Sequence, residues 1–168
     1  MKEWLIIDGY NLLHQLFPDD RNGNLACLEK NRKKLLSLLE PLVNVLARKI
    51  TVVFDGQSDK TKNDQKDSEV IAVLYSPPHL SADTVIENLV WKADHPENIL
   101  VVTSDRLERD GASASGADTM ASSLFISMIK DEQCRLSSKI NQMNKKHENV
   151  TLGDFFNFTP FSPDKKQD

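Results

Sequence analysis

Trp4-Leu5-Ile6-Ile7-Asp8-Gly9-Tyr10-Asn11 places a short, unbroken apolar run against an aspartate and a glycine. Such a run, closed by a turn pair, is the pattern of a buried strand whose last polar side chain stands at its carboxyl end. Ile50-Thr51-Val52-Val53-Phe54-Asp55-Gly56 repeats the pattern, with β-branched residues through most of the run and the same aspartate-glycine ending. Ile99 to Val102 is another such run and ends in Thr103-Ser104-Asp105. Val70 to Tyr75 reads as one more strand, closed by Ser76-Pro77-Pro78, because proline cannot donate to a central ladder.

Between these runs the apolar spacing changes to that of helices. Leu28, Leu35, Leu39, Leu42 and Leu46 recur at helical intervals with Lys30, Arg32, Lys33, Lys34 and Glu40 among them, which predicts a helix bent or restarted at Pro41. Ser81 is placed to cap a second helix that buries Ala82, Val85, Ile86, Leu89 and Ala93. A polar loop through Arg109, Asp110 and Gly111 is expected next, followed by a helix over 117–129 with Ala121, Leu124, Phe125 and Met128 as its stripe. A short helix over 136–143 follows, then Phe155, Phe156, Phe158 and Phe161, expected to fasten the chain back onto the body. The expected organisation is one domain over residues 1–161 with a polar tail over 162–168. Strands alternating with helices predict an α/β fold with a mainly parallel sheet covered on both faces, and a site beyond the strands' carboxyl ends.

Composition excludes several classes. With 168 residues, 39% apolar and 27% charged, the chain matches an ordinary globular domain. It shows no basic leader and no apolar run of the ~20 residues a membrane span needs, so a cytoplasmic protein without a membrane partner is expected. No obligate protein partner is identifiable. Cys27 and Cys134 are far apart and are read as reduced thiols, while His14, His79, His95 and His147 lack zinc-site spacing. There is no phosphate-loop lysine motif, no dinucleotide fingerprint, no serine-histidine-acid arrangement and no second aspartate beside Asp8 for an aspartyl-phosphate mechanism. A formal charge of −4 argues against coating nucleic acid by bulk positive field, yet leaves a nuclease open. Lys60, Lys62 and Lys66 lie in Gln57–Ser68, a stretch without apolar anchors that reads either as a surface loop or as an RNA-contacting flap. Lys139, Lys145 and Lys146 form a second basic group.

The chemistry concentrates in the acids. Asp8 and Asp105 follow their strands, and Asp83 lies in the first turn of a helix, so the expected fold brings the three together. Converging like charges raise the cost of ionisation, which a hard cation such as Mg2+ or Mn2+ would relieve. Glu87, one helical turn beyond Asp83, widens the acidic face. Asp55 is either a further acid or a turn cap, and Tyr10 either stacks or packs. The Asn11 amide either orients a water or a phosphate or caps a helix. Thr103 and Ser104 offer hydroxyls to the third carboxylate, to a phosphate or to the turn itself.

Taken together, Ile7-Asp8-Gly9-Tyr10-Asn11, Val53-Phe54-Asp55-Gly56, Ser81-Ala82-Asp83-Thr84-Val85-Ile86 and Val102-Thr103-Ser104-Asp105-Arg106 resemble the YacP-like NYN family, within the wider PIN-like nucleases. The resemblance covers most of the chain. It implies a three-layer fold around a parallel sheet and a metal-dependent endoribonuclease site, with Asp8, Asp83 and Asp105 at the acidic positions and Asn11 at the amide position. It also implies that water activated at one or two metal ions cuts RNA, rather than the RNA's own hydroxyl. Some relatives cut messenger RNA in association with the ribosome. The same pocket would also suit a phosphatase or nucleotide hydrolase, and a diverged relative would keep RNA or ribosome binding without catalysis.

Overall fold

The computed structural model describes residues 2–18, 25–56 and 70–148. Among these, β1 (Lys2–Asp8), β2 (Ala47–Phe54), β3 (Ala72–Tyr75), β4 (Ile99–Val102) and β5 (Asp118–Met120) form a sheet in the order β3-β2-β1-β4-β5. Every neighbouring pair is parallel. β1 is central, with Ile7 opposite Val52 on one side and Val102 on the other. The order reverses between β1 and β4, which opens a crevice at their carboxyl ends.

Helices flank this sheet. α1 (Gly9–Leu16) begins directly after β1, and α2 (Leu25–Leu39) buries Leu35, Leu36 and Leu39. α3 (Ala82–Trp91) starts at the expected cap, where the Ser81 side chain accepts from the Thr84 amide at 3.2 Å. α4 (Arg106–Ala114) and α5 (Ser122–Glu148) complete the set. Ile6, Val53 and Val101 share a buried cluster with Ala82, Ile86 and Val90 of α3 and Ala112 of α4. Leu5, Ile7, Val52 and Val102 alternate with these along their strands and are equally buried, as a sheet covered on both faces requires.

The helix from Gly9 to Leu16 had no counterpart in the sequence pattern, since its eight residues bury only Gly9, Leu12 and Leu13 and so show little periodicity. Four expectations are corrected. α2 ends at Leu39 and passes through a 3-10 turn, Glu40–Leu42, so Leu46 leaves the helical series; Asn44 then turns in the left-handed region (φ 64°) just before β2 begins at Ala47. Arg109, Asp110 and Gly111 lie inside α4, which buries only Glu108 and Ala112 and therefore gave no apolar signal. Residues 118–120 form edge strand β5, held by Thr103 N donating to Met120 O at 3.1 Å, so the helix predicted from 117 begins at Ser122. The helix expected over 136–143 is part of α5.

The chain divides into two compact units, residues 1–130 and 131–168; the first holds the sheet, and the described part of the second continues α5 to Glu148. Gln57–Ser68 with Lys60, Lys62 and Lys66, the side chains of Lys139, Lys145 and Lys146, the terminal phenylalanines and the tail lie outside the described residues. No helix among the described residues is long and apolar enough to cross a membrane, and both cysteines are free thiols.

Candidate functional site

Asp8 stands at the carboxyl end of the central strand and is only 8% exposed. It caps α1, its Oδ1 accepting from the Asn11 amide at 3.1 Å. This immediate turn from strand to helix needs Gly9, since a Cβ there would lie 2.3 Å from the Phe54 ring.

Asp83 is delivered from the other side of the crevice. Asp55 Oδ1 accepts from the Ala82 amide at 2.6 Å and from the Ser76 hydroxyl at 3.3 Å, and Ser76 Oγ accepts from the Gly56 amide at 3.0 Å. Asp55 thus ties the ends of β2 and β3 to the first turn of α3, one residue before Asp83. Its turn-cap role is the one the contacts favour.

Asp105 caps α4, accepting from the Leu107 amide at 2.7 Å and the Glu108 amide at 3.3 Å. Glu108 is thereby turned inward. Carboxylate oxygens of Asp8, Asp83 and Glu108 all lie within 4.8 Å of one another. Asp105 is exposed beside them, near enough for its charge to act on all three. Glu87 adds to the field on Asp83, and its Oε1 lies where a Cβ on Gly111 would come within 2.8 Å.

Burial and mutual repulsion govern this cluster. Desolvation is the main cause that raises Glu108 from 4.5 to about 8; the Thr103 hydroxyl opposes it and the charges of Asp8, Asp83 and Asp105 add to it. Burial likewise raises Asp8 to about 6, opposed by the Asn11 amide and reinforced by Asp83, Asp55 and Asp105. Asp83, partly exposed, is raised by burial and then by Asp105, Asp55 and Glu87. Glu108 is 2% exposed, and neither of its oxygens makes a well-formed hydrogen bond. Orphaned carboxylate oxygens facing two further carboxylates fit a hard divalent cation such as Mg2+ or Mn2+, which takes oxygen ligands.

Asn11 organises the surrounding turns. Its Oδ1 accepts from the Ser104 amide at 3.1 Å and from the buried Ser122 hydroxyl at 3.2 Å, joining the turn after β4 and the start of α5 to α1. Gln15 Nε2 donates to Ser104 Oγ, and Thr103 Oγ1 accepts from the Asp105 amide at 3.1 Å. The structure therefore brings Asp8, Asn11, Asp83, Thr103, Ser104 and Asp105 to one edge. Glu108 was not anticipated. Asp105-Arg106-Leu107-Glu108 nevertheless carries the acid-x-x-glutamate spacing of a helix start, a signal that could have located both α4 and this residue.

The YacP-like NYN domain matches residues 5–156. No curated protein matches the chain significantly. Among solved structures, Rae1 (YacP) from Bacillus subtilis superposes with a TM-score of 0.72 at 20% identity, covering 87% of this chain and 84% of its own. A point mutant of the same Bacillus subtilis protein gives 0.67 at 20% identity, with 84% and 83% covered. At this identity the superpositions speak for the fold, and the domain match, which takes in Asp8, Asp83, Asp105 and Glu108, speaks for the family. The chain belongs to the YacP-like NYN domain family, within the PIN-like nuclease superfamily.

Proposed function

We propose that this protein is a metal-dependent endoribonuclease that hydrolyses phosphodiester bonds of RNA, with cytoplasmic messenger RNA on the ribosome as its setting. The observation that carries the chemistry is the convergence of Asp8, Asp83 and Glu108 within 4.8 Å, one of them buried without a well-formed hydrogen bond. Membership of a nuclease family supports the choice of substrate.

In this reading Asp8, Asp83 and Glu108 hold Mg2+ or Mn2+, and Asp105 stands at the rim as the fourth acid. When bound, the cation supplies a Lewis acid that activates water and neutralises charge developing on phosphate. The chain's own residues prepare the place. Asp8 and Glu108 retain protons at pH values where free carboxylates have lost them, which limits repulsion in the empty cleft. Asp55 fixes the start of α3, and Asn11 fixes the turn carrying Ser104 and Asp105, so both walls of the cleft are set before substrate arrives. Asp105 is exposed at the rim of the cleft, open to solvent.

The test is a panel of single-stranded, structured and ribosome-bound RNAs alongside small phosphate esters, each with Mg2+ or Mn2+. Internal cuts that disappear in Asp8→Asn, Asp83→Asn and Glu108→Gln are expected. Turnover of the esters without RNA cleavage would move the assignment to a phosphatase; RNA binding without either reaction would move it to a noncatalytic binding protein.

A further inference from the structure

We propose that Tyr10 and His14 form a stacking platform that holds an unpaired RNA base beside the carboxylate cluster, an inference that rests on the nuclease reading. The acid cluster itself repels a polyanion, and the formal charge of −4 supplies no compensating bulk field. Stacking on an aromatic ring needs no field.

The rings are placed by the same turn that places Asp8. Tyr10 lies in the first turn of α1, two residues after Asp8, and meets Phe54 edge-on with centroids 5.2 Å apart and planes at 68°. Phe54 is fully buried and stacks on Tyr75 at 5.8 Å and 26°. The Arg32 guanidinium lies 5.8 Å from the Phe54 centroid and 5.6 Å from that of Tyr75, and its Nη1 donates to the Tyr75 hydroxyl at 3.2 Å. Phe54 and Tyr75 are the last residues of β2 and β3, so this braced layer stands at the carboxyl edge of the sheet, on the side of Asp8 away from β4. Tyr10 is thus held from beneath.

His14 follows one helical turn later, its ring near-parallel to Tyr10 with centroids 6.4 Å apart and planes at 28°. Tyr10 is half-buried and His14 exposed. A packing role accounts for the contact between Tyr10 and Phe54. Helical spacing brings His14 beside Tyr10, and its exposed, near-parallel ring extends the flat surface toward solvent. A nucleobase presents a flat face that such rings accept whatever its identity, and only an unpaired, unstacked base is free to offer it.

The experiment measures binding of a fluorescein-labelled single-stranded RNA and of its duplex, with Ca2+ replacing Mg2+ to suppress cleavage. Tyr10→Leu, which keeps bulk, and His14→Ala, at an exposed site, should each weaken single-strand binding about tenfold, while Tyr10→Phe stays within about twofold. Duplex binding should not change, and the slope of log K against log salt should persist, because stacking releases no counterions. Thermal melts of the variants separate loss of the platform from loss of fold. Single-strand binding at the wild-type level in folded Tyr10→Leu and His14→Ala, with wild-type RNA cleavage intact, overturns the platform and leaves the nuclease standing. A wild type that neither binds nor cuts any RNA overturns both.

Discussion

Replacing Glu108 by glutamine removes the charge and keeps the shape of a side chain that is 2% exposed, within 4.8 Å of two other carboxylates. Between pH 4.5 and about 8 the folded protein holds a proton on Glu108 that the unfolded chain has released. Unfolding therefore liberates a proton, and the stability of the metal-free protein falls as pH rises through this window. The raise from 4.5 to about 8 corresponds to a ceiling of about 5 kcal/mol at ~1.36 kcal/mol per pH unit. Water entry and side-chain relaxation reduce it, and ~2–3 kcal/mol is the expected gain for Glu108→Gln at pH 8.5. Well below pH 4.5, where the carboxyl is protonated in folded and unfolded chains alike, the two proteins should agree to within ~1 kcal/mol. Urea unfolding in EDTA at a series of pH values measures this directly. A variant less stable than wild type at pH 8.5 would mean that the ionised carboxylate has a stabilising partner, and would refute the reasoning.

Other consequences follow from the same contacts. Mg2+ or Mn2+ at about 100 times its dissociation constant should stabilise the wild type by ~2.7 kcal/mol, and Glu108→Gln by much less; thermal melts over a metal series decide this. Metal affinity measured by calorimetry should rise from pH 5 to pH 8, because the cation must displace the protons retained by Asp8 and Glu108, and a flat profile would contradict it. Asp55→Ala removes the acceptor for the Ala82 amide and should cost ~1–2 kcal/mol and weaken metal binding, whereas Asp55→Asn, which keeps an oxygen, should cost less in urea unfolding. Gly9→Ala drives a methyl group into the Phe54 ring and should destabilise by ~1–3 kcal/mol; a melting temperature equal to that of wild type would show that the turn relaxes freely.

The legible parts of the fold were those in which burial repeats along the chain. β1, β2 and β4 are apolar because neighbours cover both of their faces, and Ser81 announces α3 through its cap. α1 and α4 were silent because each buries few side chains, and β5 because three edge residues make no run. Asp8 and Asp83 were readable as acids at a strand end and a helix start, and the structure sets them against each other. Glu108 was harder to read for a physical reason: its place depends on α4, a helix marked in the sequence by the Asp105-x-x-Glu108 spacing and not by an apolar stripe. Asp55 and Asn11 drew notice as polar residues at turns, but partners 27 and 93 positions away emerge only from the fold.

The most direct test of the central claim is the chemistry of the RNA ends left by purified protein acting on a labelled strand in Mn2+. Water-mediated hydrolysis predicts internal cuts without a 2′,3′-cyclic phosphate, persistence of cutting at a 2′-O-methylated position, and loss of cutting in Asp8→Asn and Glu108→Gln. Cyclic phosphate ends, or undiminished cutting by both folded variants, would contradict it.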